Sequence, residues 1–478
     1  MNSTNPFTKL EKAPPKPAAA PSQPQKLKRE KEPLASKTGA GGISSKLASL
    51  RTTAINTNSS KLQLKKRDTT QEKEQRKQAQ RDAVDRRQRQ QQQVLNVFKA
   101  SFGAVLNAHA FEATLQAVKQ ALFERDFARA FCDPEHLAVY AARWSPTRAL
   151  CYASILGSLH HQHLLEGLFC ADDDEDDVTT ANDTTTTTTT EDTNTTPTTT
   201  PPNPKKLNVL SIGGGPAELA AFAAFLGTQT RARAWREPNE PKRAADDDDP
   251  ETDTDLFGRI TLLDSAPWAS VIAPLRSSLT TAPPLSKYAS AAARQAMRPV
   301  IPASNLVSSF IQHDALDLGR EGLSPLMGMG KGKGDKPLLI TLLFTLNELF
   351  TSSGIGKTTA FLLDLTSVVP AGSLLLVVDS PGSYSETSVG KAAARKKYPM
   401  HWLLDRIMLG TQAEPVGGRR WAKLQAHDSE WFRLADTNTY SEGDTNSLDY
   451  PIGLENMRYQ MHLYRAEDAS VPIKPTAE

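Results

Sequence analysis

Cysteine is scarce in this 478-residue sequence: there are three, Cys132, Cys151 and Cys170, and no two stand in C-x-x-C spacing. That argues against a disulfide framework and a structural zinc site, and for a reducing compartment. The histidines of HHQH (His160, His161, His163) have no cysteine or acidic partners at ligand spacing, so they read as a polar helix end and no metal site is expected. Long apolar runs are also missing. No 18-residue apolar stretch occurs, and the opening MNSTNPFTKLEKAPP has no apolar core. Neither a membrane span nor a standard secretion signal is therefore expected. Aromatic residues make up only 6% of the chain and are almost absent before residue 93, so that part cannot bury a core of its own.

Positive charge is concentrated where apolar residues are absent. Residues 1 to 93 hold 21 Lys and Arg against 8 Asp and Glu, a net of +13, whereas the whole chain carries only +2. Residues 1–68 are expected to be a disordered basic arm suited to meeting a polyanion such as RNA. Helical text follows over 69–170. EKEQRKQAQRDAVDRRQRQQQQ reads as an exposed basic helix, and VLNVFKASFGAVL, FEATLQAVKQALFERDFARAF and ALCYASILGSLHHQHLLEGLF place apolar residues at spacings of three and four. Within RWSPTRALCY, Ser145 and Pro146 mark a helix start.

Residues 171–204 are acidic, then Thr-rich, and form no core; 236–255 and 328–336 are further polar interruptions. Without them, 205–466 alternates short apolar runs (VLSI, RITLLD, LVSSFIQ, LLITLLFTL, SLLLVVD) with helical stretches, ahead of a tail at 467–478. Such alternation predicts an α/β fold, a mostly parallel sheet covered on both faces by helices. The closing strand is expected at NMRYQMHLYR, Asn456 to Arg465.

Two stretches resemble nucleotide sites. In GIGKTTAF, Gly354 to Phe361, the P-loop pattern puts Thr351 where its first glycine belongs, and NELFTSS separates it from the preceding strand. An NTPase therefore stands only as a rival reading. KLNVLSIGGGPAELAAFAAFL is better: an apolar strand enters Gly213-Gly214-Gly215, and Pro216 opens a helix rich in small residues. Glu218 replaces the third glycine of the dinucleotide pattern. Asp264 ends the second strand, 49 residues past Gly215 because the polar insertion intervenes, and Asp314 follows the third. A glycine turn, an acid placed for ribose hydroxyls and an Asp at an adenine edge together predict the adenosyl site of a class I S-adenosylmethionine-dependent methyltransferase.

The blocks ITLLFTLNELFTSSGIGKTTAFLLDLT, GSLLLVVDSPGSYSET, KKYPMHWLLD, DSEWFRL and YPIGLENMRYQMHLYR, with RWSPTRALCY upstream, resemble the fungal 25S ribosomal RNA uridine-N3 methyltransferase family. That resemblance implies a Rossmann-like domain with a seven-stranded sheet, S-adenosylmethionine as cofactor, and a nucleolar enzyme acting on large-subunit rRNA in the pre-60S particle. It carries Gly213, Gly214, Gly215, Asp264 and Asp314 over as cofactor-binding positions. The family's turn reads GGGPGAEL where this chain has the shorter GGGPAEL. An RNA-binding assembly factor with a degenerate cofactor fold is the other rival.

Methylating N3 of uridine means removing a proton from a weakly acidic imide while the base is held in line with the donor. Ligands of such folds meet at the carboxyl ends of the strands. Asn347, Glu348 and Asp379 lie there and are the catalytic candidates, Glu348 or Asp379 as proton acceptor and Asn347 as a hold on the base. Tyr384, Lys396, Lys397, Arg143 and Arg148, with Trp144, His401 and Trp402 beside them, combine charge with aromatics as RNA contacts do.

Overall fold

The computed structural model describes residues 52–131, 133–171, 205–234, 256–283, 287–288, 290, 298–328, 335–382, 384–388, 395–435 and 448–471, with side chains described from residue 73 and not at 171, 231–234 or 383–397. The chain divides into two units, Met1–Arg76 and Lys77–Glu478. The second carries the fold that follows. Most of the basic arm and the greater part of the three polar interruptions lie outside the described residues. Helix α1 (Thr52–Leu106) begins within the stretch expected to lack structure.

Five strands form the parallel core: β2 (Lys205–Ile212), β3 (Leu256–Asp264), β4 (Leu306–Gln312), β5 (Leu339–Leu343) and β6 (Leu374–Asp379). β9 (Arg419–Phe432) and β10 (Met457–Asp468) extend the sheet, giving the order β4-β3-β2-β5-β6-β10-β9, and β10 runs antiparallel to both neighbours. The short β1 (Phe169–Ala171) adds an antiparallel pair at the start of β2. This seven-strand path is that of the class I methyltransferase fold. β5 and β6 are buried at every position, as continuous apolar runs require when helices cover both faces of a parallel sheet. β7 (Tyr384–Ser388) and β8 (Arg395–Pro399) form a separate hairpin after β6.

One face is covered by the helical text upstream of the sheet: the end of α1, α2 (Phe111–Phe123), α3 (Phe127–Phe131), α4 (Pro134–Arg143) and α5 (Ser145–His161) pack with α6 (Pro216–Ala234) and α7 (Ala269–Thr280). Within the second unit, Gln91, Gln92 and Lys99 of α1 bind Ala435 and Asp449 from the loop before β10. The other face carries α8 (Gly319–Leu326), α9 (Leu346–Ser352), α10 (Gly354–Val368) and α11 (Met400–Met408). Here Trp421 of β9, fully buried, donates its indole N–H to Thr366 of α10 at 2.9 Å.

GIGKTTAF lies inside α10, not in a loop between strand and helix. Thr358 stands in the second turn and donates to the Gly354 carbonyl at 3.0 Å. The residues that would form the cradle, Thr351 to Gly356, are the end of α9 and the first turn of α10 and not a loop leaving a strand, so the P-loop arrangement is not formed.

The alanines of α6 let that helix approach the sheet closely, and Gly258 of β3 completes the fit. A Cβ at Gly258 would stand 2.2 Å from Leu226 Cδ1 and 2.7 Å from the Phe222 ring, both buried on α6. Replacing Gly258 by Ala is expected to cost about 1–3 kcal/mol by overpacking. Thermal unfolding measures this; a melting temperature equal to the unsubstituted protein's would show that α6 and β3 have slack.

Candidate active site

The β2–β3 register brings the glycine turn and the second-strand acid together in space. Ile212 pairs with Leu263, and the Gly213 and Gly214 N–H groups donate to the Leu263 carbonyl at 2.8 and 3.3 Å. The 49-residue separation is therefore looped out, and Asp264 sits beside the turn. Gly213 adopts φ +69°, and a Cβ there would fall 2.2 Å from Thr345 Oγ1, so the turn is closed from above by the segment after β5. Gly215 lies under the Trp268 indole, at ordinary contact distance for an added Cβ.

Glu218 does not substitute for a glycine that packs helix on strand; Gly258 supplies that closeness from the opposite partner. The Glu218 carboxylate instead turns back and accepts the Gly215 N–H at 2.8 Å. Its burial raises its pKa to about 7, despite the backbone hydrogen bonds that oppose the shift. Asp264 takes the Ala266 N–H at 2.7 Å, and burial lifts its pKa to about 6. Asp314 is exposed beyond β4 and caps the following turn by accepting the Leu316 N–H at 2.9 Å.

These residues can be tested against the two cofactors a glycine turn suggests. A dinucleotide's pyrophosphate needs free backbone N–H groups and a positive helix end. Here all three glycine N–H groups are engaged, and the helix end is met by a carboxylate. A sulfonium nucleoside carries no phosphate and a positive charge. It suits a turn ringed by the acidic side chains Glu218 and Asp264, with Asp314 exposed beyond them. The residues fit S-adenosylmethionine.

A cleft with about 250 Å³ of room opens next to the turn, lined by Arg125, Tyr140, Trp144, Arg148, Asn347, Glu348 and neighbours. An aromatic chain links the two: Trp268 over Gly215 lies 5.7 Å from Tyr140, centroid to centroid. The Arg148 guanidinium stands over the Tyr140 and Phe344 rings at 5.4 and 5.1 Å and donates to the Tyr140 hydroxyl. Burial works to lower the Arg148 pKa, but Tyr140, Tyr152, Glu348 and Glu218 outweigh it and keep the group charged. Burial raises the Glu348 carboxyl to about 7, with Asp379 and Asp264 adding to the rise while Arg148 and Arg125 restrain it.

Of the sequence-predicted residues, Asn347, Glu348 and Arg148 meet in this cleft. The Asn347 side-chain oxygen is buried without a hydrogen-bond partner. Asp379 is buried at the end of β6, and its two oxygens accept the Asn347 and Ser380 N–H groups at 3.0 and 2.7 Å. It positions α9 and is poorly placed to take a proton. Arg143 is turned elsewhere and binds Glu455 at 2.6 Å. The backbones of Tyr384, Lys396 and Lys397 lie in the β7–β8 hairpin, and their side chains fall outside the described residues. Trp402 is half exposed and stacks on Tyr398 at 5.2 Å.

Sequence reasoning missed Tyr140, Arg125, Trp268 and Phe344. Phe344 and Arg125 have φ +57°, rare for such side chains, and backbone strain of this kind collects at functional sites. No sequence pattern announces it.

Glu218 gives a pH-dependent stability. A buried carboxyl raised from 4.5 to about 7 favours folding fully below pH 4.5, and that contribution is lost as pH rises through 7. Glu218→Gln, which does not titrate, should therefore gain on the parent protein with rising pH, by up to about 3 kcal/mol. Melting temperatures of the cofactor-free pair at pH 5 and 8 measure the gap, and a gap that stays flat would contradict the burial argument.

Residues 98–465 match the profile of the family described as "Putative SAM-dependent methyltransferase". The "25S rRNA (uridine(2843)-N(3))-methyltransferase" of Saccharomyces cerevisiae is 28% identical over 382 residues, covering 78% of this chain and 85% of its own. Among solved structures, the 16S rRNA (adenine(1408)-N(1))-methyltransferase from Catenulisporales acidiphilia aligns over 55% of this chain and 88% of its own at 13% identity, with a TM-score of 0.26. A SAM-dependent methyltransferase from Methanosarcina mazei covers 54% and 91% at 6% identity, with a TM-score of 0.25. With a glycine turn fitted to a sulfonium nucleoside, and a family profile that spans most of its length, the chain belongs to this family of S-adenosylmethionine-dependent methyltransferases.

Proposed function

We propose that the protein methylates N3 of a uridine in large-subunit ribosomal RNA, in the nucleolus, on pre-60S particles. One observation carries the chemistry: the half-buried Glu348 carboxyl lines the same cleft as the half-buried Arg148 guanidinium, beside the cofactor turn, and desolvation there raises its pKa to about 7. S-adenosylmethionine, when held by Gly213, Gly214, Gly215, Asp264 and Asp314, supplies an electrophilic methyl group.

The rest falls to the cleft. A uracil edge offers an N–H between two carbonyl oxygens. Glu348 accepts the N3 proton, Arg148 faces a carbonyl oxygen and stabilises the negative charge that proton loss leaves on the imide, and Asn347, lining the same cleft, donates from its side-chain NH2 to the second carbonyl. Tyr140 and Trp144 give the flipped base surfaces to stack on. Adenine and cytosine carry no ring N–H to lose, so a general base at this position points to uracil or guanine. The similarity to the yeast uridine-N3 enzyme supports the same target.

Purified protein, labelled S-adenosylmethionine and an unmodified large-subunit rRNA transcript test this. A catalytic Glu348 must be ionised, so kcat/KM should rise with pH and level off above an apparent pKa near 7. Glu348→Gln should remove that dependence and lower kcat by about 10²–10⁴, while calorimetric cofactor binding stays within about twofold of the parent, an upper allowance of roughly 0.4 kcal/mol. An unchanged profile in the variant would remove Glu348 as the base.

A further inference from the structure

Outside the cleft, the carboxyl rim of the sheet carries an unusual surface at β9 and β10. Trp431, next to last in β9, is 53% exposed, although tryptophan is one of the costliest side chains to leave in water. Arg458 pairs with it across the strands, and its guanidinium lies 5.9 Å from the indole; that of Arg433, just past the strand, lies 5.6 Å away. Arg458 also donates to Ser429 Oγ at 2.7 Å, which fixes its position. Among the described residues neither arginine forms an ion pair with a carboxylate. The strand's own acids nearby are Asp428 and Glu430, and Glu430 is engaged by His427 at 3.3 Å.

Position gives this cluster its meaning. β10 runs against β6, so its first residues lie at the same end of the sheet as the end of β6; Gln460 pairs with Asp379 and donates to the Ser380 carbonyl at 2.7 Å. Arg458 stands two residues beyond that pairing. Trp431 is two strand spacings from β6, roughly 10 Å, along the rim on which the cleft opens. Phe432 packs into the core on the α1–α7 face, so Trp431, one residue earlier, points to the opposite face.

We propose that Trp431, Arg433 and Arg458 form a single-stranded RNA platform. One nucleobase stacks on the indole or on a guanidinium plane, and the arginines hold adjoining phosphates. A protein partner would be expected to meet an apolar ring around the tryptophan, whereas this one is surrounded by unpaired positive charge and polar side chains, which complement a polyanion. The inference rests on the rRNA reading above and adds where the strand flanking the target is held.

The probe is a fluorescein-labelled uridine-rich 15-nucleotide RNA bound to the full-length protein, followed by anisotropy across a salt series. Trp431→Ala should weaken binding about tenfold or more, and Trp431→Phe should restore most of it. The pair Arg433→Gln with Arg458→Gln should flatten the slope of log affinity against log salt by roughly 1.4, about 0.7 per lost phosphate contact. Melting temperature and calorimetric S-adenosylmethionine binding should stay at parent values in each variant. Parent-like RNA affinity and salt slope in both variants would overturn the platform, even with uridine methylation intact. Weakened binding by these variants in a protein that methylates another nucleoside would leave the platform standing and remove only the uridine assignment.

Discussion

A single half-buried cation organises the site. Arg148 lies between the Tyr140 and Phe344 rings, and no described carboxylate pairs with it at contact distance. A guanidinium cannot lose its proton, so the charge must be offset at longer range. Glu348 and Glu218 stand within that range, and burial holds each near neutrality at about 7. The first can pass between charge states in the cleft; the second closes the helix end over the glycine turn. The N-terminal helical region, from which the sequence offered Arg143 and Arg148 as RNA contacts, delivers Arg148, Tyr140 and Arg125 to the cleft and is therefore part of it.

The sheet makes this arrangement possible by discarding sequence distance. Asp264 and Gly213 are neighbours because β2 and β3 pair in register from Lys205–Leu256 onward, whatever length of polar chain joins them. Thr345 shuts down on Gly213 because β5 pairs with β2. Strain is concentrated at this junction: Phe344 takes a left-handed backbone, donates its N–H to Val378 at 2.7 Å, and so turns α9 to present Asn347 and Glu348 to the cleft. Asp379, binding the Asn347 N–H, holds the other side of the same turn.

Much of this was legible. Parallel strands buried on both faces write themselves as apolar runs, which is why LLITLLFTL and SLLLVVD located β5 and β6 and the acids after them. The glycine turn, Pro216 and the Ser145-Pro146 helix start are local chemistry and read directly. β9 was not read as a strand, because an edge strand with one solvated face mixes Lys, Gln, His and Glu among its apolar residues. The functions of Glu218 and Asp379 were also illegible, since both depend on which backbone N–H lies opposite. Arg143 and Arg148 look alike in RWSPTRALCY; one ends α4 and binds Glu455, and the other lies in the first turn of α5 and lines the cleft.

The most direct test of the account is quantitative mass spectrometry of large-subunit rRNA nucleosides from cells lacking the gene, complemented with either the parent protein or Glu348→Gln. The account predicts that 3-methyluridine disappears on loss of the gene, returns with the parent protein and does not return with the variant. Unchanged 3-methyluridine in the cells lacking the gene would contradict it.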